Sequence, residues 1–191
     1  MIVDIVDHSE EHRGVIKNLF VFYRYDLMPF IGAGSGGHVN EFGVIGAEGD
    51  RNHEESGREN DIWWEKPGVV FAFLIRVDGA PAGFAMVAMP PHVTRGIQYR
   101  LCEFFVLSRF RRRGVGKAAA NQVFDRFRGT WELGWAPENV PASLFWRSVV
   151  SGYTMGRFED SEVEMGPDEP SLPGVRFANR KGDGAWVSRT T

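Results

Sequence analysis

Residues 102–117 read CEFFVLSRFRRRGVGK, a stretch in which strand-forming residues lead into an arginine-rich turn and then into a helix. The first backbone N–H groups of a helix have no partner within the helix, and the helix dipole adds roughly half a positive charge at the same end. Glycine there lets an anion approach the backbone closely, and arginine adds planar charged donors. The stretch therefore predicts an anion site suited to a diphosphate. Its residues are Arg111, Arg112, Arg113, Gly114 and Gly116.

The flanking sequence predicts a mixed sheet covered by helices. Residues 69–77 and 80–89 are strand patterns joined by Asp78-Gly79, a strong two-residue hairpin turn, and 98–107 is a third strand pattern. A hairpin followed by alternating strands and helices indicates the α/β class with a mixed sheet. Further strands are expected at 1–6, 131–135, 153–158, 162–165 and 175–178. Helices are expected from the Ser9 cap to Pro29, over 115–127 and over 141–150, the last ended by Gly152.

The chain has 191 residues, 43% of them hydrophobic, which is enough for one sizeable core. We expect one domain over residues 1–165, followed by a C-terminal strand and a loose tail over 166–191. Residues 32–60 contain eight glycines, an acidic run and little periodicity, and they predict a long mobile loop. Loops of this length are uncommon in compact domains unless they serve a function.

Composition and charge exclude several classes of protein. A net charge of −3 and a pI of about 6.0 argue against a general nucleic-acid surface, which usually has a pI above about 9. The longest apolar run has seven residues, against the ~20 of a membrane-spanning helix, and the N-terminus lacks the features of a secretory signal. One cysteine precludes an internal disulfide, and the five histidines lack metal-ligand spacing. We therefore expect a cytoplasmic protein without a metal, a nucleic-acid partner or a membrane partner.

Two blocks of the sequence resemble the GNAT acyltransferase superfamily. Val106, Arg111, Gly114 and Gly116 fit its motif Val-x-x-x-x-[Arg/Gln]-x-x-Gly-x-[Gly/Ala], at the end of a strand and the start of a helix. The second block, a short strand followed by Asn-x-x-Ala and an aromatic helix, comprises 131–135, Asn139, Ala142, Phe145-Trp146 and Gly152-Tyr153. The resemblance covers about residues 1–165 and implies the GNAT fold, a central mixed β-sheet flanked by helices. The EFFV and FW pairs resemble one bacterial group of predicted acetyltransferases.

This resemblance implies acetyl-CoA as the cosubstrate. In the family, the loop before the helix holds the diphosphate, and the preceding strand pairs its backbone with the pantetheine arm. By the same resemblance, the Phe104 N–H faces the thioester carbonyl and takes part in catalysis. The implied binding residues are Phe104, Phe105, Val106, Arg111, Arg112, Arg113, Gly114, Val115, Gly116, Lys117, Asn139 and Trp146.

Acyl transfer to an amine needs a proton acceptor, because a lysine-like amine has a pKa of about 10.4. Glu103 is the candidate base: it falls in a strand interior, one residue before the implied thioester contact, and its two aromatic neighbours should raise its pKa. The alternative is that Glu103 is a structural partner for Arg100 or a residue at the splayed edge of the strand. The family usually places a tyrosine acid where this chain has Trp146, and an indole N–H does not release a proton at useful pH. Tyr153 or water is left for that role.

In this superfamily the first helix and the loop after it form the wall of the acceptor site. Tyr23, Tyr25 and Asp26 near the end of that helix, with the acidic run at 48–61, favour a cationic amine. The alternative is that these residues form a solvated helix face and a mobile loop. The resemblance thus implies an acetyl-CoA-dependent N-acetyltransferase that acts on a primary amine of a small molecule or a peptide. The alternative is a non-catalytic module that binds acyl-CoA as a sensor. The sequence does not determine the oligomeric state, and a homodimer is one possible assembly.

Overall fold

The computed structural model describes residues 1–7, 10–31, 38–166 and 169–179. The strands are β1 (Val3–Asp7), β2 (Val70–Val77), β3 (Ala80–Ala88), β4 (Tyr99–Val106), β5 (Thr130–Gly134), β6 (Phe158–Val163) and β7 (Leu172–Ala178). The helices are α1 (Glu10–Leu27), α2 (His53–Ser56), α3 (Ile62–Glu65), α4 (Val115–Arg126) and α5 (Val140–Thr154), with 3-10 turns at Met28–Phe30, Arg58–Asp61 and Ser108–Phe110. The predicted Ser9 cap and residues 180–191 of the predicted tail lie outside the described residues.

The seven strands form one mixed sheet in the order β1-β2-β3-β4-β5-β7-β6. β1 runs antiparallel to β2, β4 runs parallel to β5, and β7 lies antiparallel between β5 and β6. Parallel strands need a crossover connection rather than a tight turn, and α4 lies in the connection between β4 and β5. The mixed sheet flanked by helices that the sequence predicts is confirmed.

The chain divides into two compact units, of which the first combines Met1–Val87 with Glu103–Ala119. On α1 of this unit, Ile16, Leu19 and Phe20 recur at helical spacing and are buried. They pack in one cluster with side chains of β2, β3 and β4, which are Ala72, Leu74, Phe84, Met86 and Phe105. Full burial of a large apolar side chain contributes about 1.5–3 kcal/mol. This cluster therefore fixes the position of α1 against the end of β4.

The second unit combines Ala88–Cys102 with Ala120–Thr191. Its core is aromatic: Trp131 of β5 stacks on Phe177 of β7 with ring centroids 6.2 Å apart, and Phe124 of α4 meets both rings edge-on. All three side chains are fully buried. Such aromatic pairs add about 0.5–1.5 kcal/mol beyond their burial, so the cluster anchors the second half of α4 on β5 and β7.

The end of α5 differs from the prediction. The sequence predicts a helix that ends before Gly152 and a strand over 153–158, but α5 continues to Thr154 and β6 begins at Phe158. The helix ends because Met155 adopts the left-handed conformation, with φ 55°. A left-handed residue at this position is a common way to close a helix, although glycine is the usual choice.

The described part of the predicted loop, residues 38–61, is folded rather than irregular. The Asn40 side-chain amide donates to the Asp50 carbonyl at 2.8 Å, and Arg24 of α1 donates to Ser56 Oγ at 2.5 Å. Asparagine side chains organise turns in this way by bonding to nearby backbone. The glycine-rich part that precedes this segment lies outside the described residues.

Candidate active site

The predicted anion site lies between β4 and α4, in the first unit. After the 3-10 turn at Ser108–Phe110, the chain passes through the left-handed conformation at Arg112 (φ 59°) and Gly114 (φ 81°) and enters α4 at Val115. The hydrogen-bond ladder of α4 begins with the Ala118 N–H, which donates to the Gly114 carbonyl at 3.0 Å. The N–H groups just before this bond have no acceptor within the helix, and such groups bind anions.

The charges around this loop favour an anion. Arg112, Arg113 and Lys117 are exposed, and the first turn of α4 contains no acidic residue. A Cβ atom built at Gly114 would meet nothing within 4 Å, so the space beside the loop is open. Positive charge, helix N–H groups and open space together form the arrangement that binds phosphate. The residues present therefore fit a diphosphate.

Arg111, the arginine of the motif, is engaged with the protein itself. Its Nε donates to the Val106 carbonyl at 2.6 Å, and its guanidinium forms an ion pair with Asp26 at the end of α1. The guanidinium also lies over the Phe105 ring, 5.5 Å from the ring centroid. Arg111 therefore ties the loop to β4 and α1. The structure thus joins an arginine predicted to bind the cosubstrate to an aspartate predicted to bind the acceptor.

The last residues of β4 direct their backbone groups to two different edges. The Phe105 carbonyl faces β3, because a Cβ atom built at Gly83 would overlap it. The Leu107 N–H also points to β3, where it donates to the Ala82 carbonyl at 2.8 Å. Since alternate residues of a strand face opposite edges, the Phe104 N–H points away from β3. The two phenylalanines therefore differ in the edge that their backbone groups face. The side chain of Phe105 lies in the core cluster of the first unit.

Glu103 and Tyr23 form a hydrogen-bonded pair. Glu103 is half-buried and shares one face of β4 with Leu101 and Phe105, and the Tyr23 hydroxyl donates to its Oε2. Burial raises the pKa of the Glu103 carboxyl from 4.5 to about 7, and the hydrogen bond from Tyr23 acts in the opposite direction. A carboxyl that titrates near neutrality is suited to accept a proton at physiological pH.

The alternative role of Glu103, as a partner of Arg100, is wrong. Arg100 donates instead from Nε to Glu132 Oε1 at 2.8 Å and from Nη2 to the Glu164 carbonyl at 2.6 Å. Positions 100 and 103 are an odd number of residues apart, so their side chains lie on opposite faces of the strand. The charge of Glu103 is therefore not neutralised by Arg100.

The predicted residues of the second sequence block belong to the second unit. Asn139 caps α5, its Oδ1 accepting from the Ala142 N–H at 3.1 Å, and its contact with a cosubstrate stays a prediction. Trp146 is 7% exposed and packs edge-on against the phenylalanine before it, with centroids 4.8 Å apart. The Tyr153 hydroxyl donates to Asp125 Oδ1 at 2.8 Å, and burial raises the pKa of Tyr153, which makes it a weaker acid.

The first unit thus brings together Glu103, Tyr23, Asp26 and the loop of residues 111–116, here called the anion loop, to which Arg111 belongs. The Tyr23–Glu103 pair is not predicted from the sequence, in which the position of Tyr23 near the end of the first helix indicates only an acceptor contact. A signal for it exists in the sequence. Tyr23 continues the apolar stripe of α1 but carries a hydroxyl at its tip, and buried tyrosine hydroxyls usually find a hydrogen-bond partner.

Three further features bear on the chemistry of the chain. Among the described ranges, no group of three or more His, Cys, Asp or Glu side chains is placed to hold a metal ion. None of the helices in those ranges is both long and apolar enough to cross a bilayer. Cys102 is a half-buried cysteine on β4.

Solved structures of acetyltransferases share this fold. An acetyltransferase from Thermus thermophilus matches with a TM-score of 0.61 at 13% identity, covering 94% of this chain and 98% of that one. The PaiA N-acetyltransferase from Thermoplasma acidophilum, in complex with coenzyme A, gives a TM-score of 0.57 at 11% identity, with 94% and 100% covered. A GNAT-family acetyltransferase from Staphylococcus aureus gives 0.54 at 11% identity, with 93% and 99% covered. At these identities the likeness shows the fold alone.

Sequence comparison shows the family. No curated protein sequence matches the chain significantly. The sequence profile of the Acetyltransferase (GNAT) family matches residues 41–149, more than half of the chain. This segment contains β2 to β5, the anion loop and α4, and acetyl-CoA, the predicted cosubstrate, is the acyl donor of the family. By its sequence and by its fold, the chain belongs to the GNAT family of acetyltransferases.

Proposed function

We propose that the protein is an acetyl-CoA-dependent N-acetyltransferase that acts on a primary amine of a small molecule or a peptide. The observation that carries the proposal is the Glu103 carboxyl, whose pKa is raised to about 7, in the same unit as the anion loop before α4. Acetyl-CoA supplies the acyl group as a thioester, which a neutral amine attacks. The residues of the chain hold the cosubstrate and remove the proton from the acceptor.

In this proposal the start of α4 binds the diphosphate of CoA. The N–H groups that precede the first hydrogen bond of α4 support it, as do the exposed positive charges of the turn. Arg111 contributes indirectly, because its side chain holds the loop against β4. The diphosphate contacts proposed are Arg112, Arg113, Gly114, Val115, Gly116 and Lys117.

The end of β4 binds the pantetheine arm in this proposal, along Phe104, Phe105 and Val106. The Phe104 N–H, which points away from β3, would donate to the thioester carbonyl and stabilise the charge that develops there. Asn139 and Trp146 stay proposed contacts that rest on the family resemblance.

Removal of the acceptor proton is the role proposed for Glu103. An alkyl amine with a pKa of about 10.4 is protonated at neutral pH and cannot attack a carbonyl in that form. Only the ionised carboxylate of Glu103 accepts a proton, so the rate should rise with pH through about 7, the pKa of Glu103.

The end of α1 forms the acceptor side in this proposal. Tyr23 and Asp26 are three residues apart and therefore project from the same side of the helix. Their contacts, with Glu103 and Arg111 respectively, support this assignment, because they bring this side of α1 next to the proposed base and the proposed anion loop. Because Asp26 is paired with Arg111, the ionised carboxylate of Glu103 is the acidic group here that favours a cationic acceptor. The cytoplasmic location expected from the sequence stays a prediction.

The Glu103→Gln variant tests the proposal, because the amide keeps the shape of the side chain and does not act as a base. Release of free thiol from acetyl-CoA, measured with a panel of small-molecule and peptide amines, should fall about 10²–10⁴-fold. CoA affinity measured by calorimetry should not change. Glu65→Gln, the same change at an exposed position on α3, is the matched control and should leave turnover unchanged. Wild-type turnover in Glu103→Gln would exclude Glu103 as the base.

A non-catalytic acyl-CoA sensor is the second candidate function. Trp146 favours it, because this residue stands where the family resemblance expects a tyrosine acid, and an indole does not release a proton at useful pH. A thiol with a pKa of about 8.5 is nevertheless a fair leaving group without such an acid. Binding of CoA without thiol release from any amine of the panel would establish the sensor.

A further inference from the structure

We propose that Tyr23 is a positioning residue for the Glu103 base: its hydroxyl holds Oε2 of the carboxylate and thereby directs Oε1 to the proton of the acceptor amine. The inference rests on the proposed function, and the contact joins α1 to β4 across 80 positions of the chain. In the step it serves, an N–H bond of the acceptor breaks and an O–H bond forms on Glu103. The electron pair stays on the nitrogen, which forms a C–N bond with the thioester carbon as the C–S bond breaks and CoA leaves as its thiolate.

The ring of Tyr23 is fixed by its surroundings. This ring lies edge-on to the rings of Phe20 and Phe84, with ring centroids 5.8 Å and 5.5 Å apart, and it is tilted against the ring of Phe105, with centroids 5.8 Å apart. All three phenylalanines are buried. Because the packing of α1 on the sheet sets the direction of the hydroxyl, the hydrogen bond to Glu103 is preorganised, as positioning groups in catalysis need to be.

The charged groups around the pair are committed elsewhere. Four charged side chains of α1 and β2 have partners other than Glu103: Arg24 bonds to Ser56, Asp26 to Arg111, Lys17 to Asp61 and Arg76 to Asp4. β3, which packs on the same cluster, reads APAGFAMVA and has no ionisable side chain. Within the described residues, burial and the phenol are therefore the influences that act on the carboxylate.

The two influences oppose each other. A phenol O–H donates to an ionised carboxylate and favours the charged form of Glu103, whereas burial favours the neutral form. Without the hydroxyl of Tyr23, Glu103 should keep its proton to a higher pH, and Oε2 would no longer be held. A carboxyl that is protonated at the working pH is not a base.

The Tyr23→Phe variant removes the hydroxyl and keeps the ring. The acidic limb of the pH profile of kcat/KM, expected near pH 7 in the wild type, should move upward by about one pH unit. The reason is that the free energy of a hydrogen bond to a charged group corresponds to about one unit of pKa. At pH 6 kcat/KM should therefore fall about tenfold, while KM for acetyl-CoA stays the same. Tyr99→Phe on β4, where the ring packs against Phe127 and Trp131, is the matched control and should not shift the limb.

A second readout does not depend on turnover. In protein labelled with glutamate enriched in ¹³C at the side-chain carboxyl, the signal that disappears in Glu103→Gln reports the titration of Glu103. Its midpoint should rise in Tyr23→Phe by the same amount as the kinetic limb. In the Glu103→Gln background, Tyr23→Phe should lower turnover no further, because its effect passes through the carboxylate.

The outcomes separate this inference from the proposed function. A slower Tyr23→Phe enzyme with an unmoved limb and an unmoved carbon titration would show that Tyr23 only packs, and would overturn the inference. The carbon titration could also shift in a protein that fails to release thiol from acetyl-CoA with every amine of the panel. That result would refute the proposed function and the base role, while the coupling of Tyr23 to Glu103 would stand. A shift in both readouts would support the two proposals together.

Discussion

At the scale of single residues, Glu103 lies on the face of β4 that also carries Leu101 and Phe105, both of them buried. This surrounding raises the pKa of the carboxyl from 4.5 to about 7. One unit of pKa corresponds to about 1.4 kcal/mol between the two protonation states. Between pH 4.5 and about pH 7, the folded protein therefore holds a proton on Glu103 that the unfolded chain has already released.

The pH dependence of unfolding should reveal this proton. Because the folded pKa of Glu103 is raised, its contribution is fully present below pH 4.5 and is lost as the pH rises through about 7. The Glu103→Gln variant has no such loss, so its free energy of unfolding relative to wild type should increase by about 2–3 kcal/mol between pH 4 and pH 8, allowing for partial exposure. Urea unfolding at several pH values measures this difference. A difference for Glu103→Gln that stays constant between pH 4 and pH 8 would show that the Glu103 carboxyl titrates in the folded protein as it does in the unfolded chain.

The sequence indicates Glu103 but not its partner. A carboxylate inside an apolar strand is visible in the sequence, and so is a tyrosine on an apolar helical stripe. Their pairing joins positions 80 apart, and the pairing of Asp26 with Arg111 joins positions 85 apart. Such contacts depend on how α1 packs against β4, whereas periodicity reports only which face of an element is buried.

At the scale of elements, the passage from β4 to α4 is the part that the sequence predicts best. The predicted strand 98–107 and helix 115–127 agree with the observed bounds to within one residue at each end, because apolar alternation, glycine and helical periodicity are local signals. The sequence predicts too short an α5, since the end of this helix depends on Met155 in a left-handed conformation that few residues other than glycine adopt. Asn139, read as part of a cosubstrate motif, has a side chain that caps α5.

The Gly114→Val variant tests the conformation of the anion loop. A β-branched residue is strained at φ 81°, so the loop should relax and move the N–H groups that would face the diphosphate. CoA affinity measured by calorimetry should fall about tenfold or more, which corresponds to ~1.4 kcal/mol. Gly96, at φ 89° and with equally open surroundings, allows Gly96→Val to serve as a control for strain. Equal CoA affinity in the two variants would show that the diphosphate binds elsewhere.

At the scale of the whole molecule, the order of the elements predicts the fold class but not the order of the strands. β7 is the last strand of the chain, yet it lies between β5 and β6 in the sheet. The sequence indicates a strand at 175–178 without naming its neighbours. Pairing of this kind is decided by which side chains the surrounding fold can bury, and Val175 and Phe177 are both fully buried.

A buried ion network joins these strands. Glu132 of β5 is fully buried and accepts from Arg100 Nε at 2.8 Å, from the Thr94 N–H at 2.9 Å and from Arg176 Nη2 of β7 at 3.5 Å. Arg100 also donates to the Glu164 carbonyl, just after β6, at 2.6 Å. The network therefore connects β4, β5 and β7 with the end of β6. Removing one member of such a network leaves the others buried and uncompensated, which destabilises a protein strongly.

The Glu132→Gln variant should lower the free energy of unfolding by about 3–5 kcal/mol, a large part of the roughly 5–15 kcal/mol of a typical domain. The amide keeps the volume of the side chain but leaves Arg100 and Arg176 without a negative charge. Asp160→Asn is the matched control, because its ion pair with Arg147 is exposed, with side chains 65% and 40% exposed, and should contribute less than about 1 kcal/mol. Urea unfolding at pH 7 compares the two variants. A loss in Glu132→Gln as small as that in Asp160→Asn would mean that the ion network contributes little to holding these strands together.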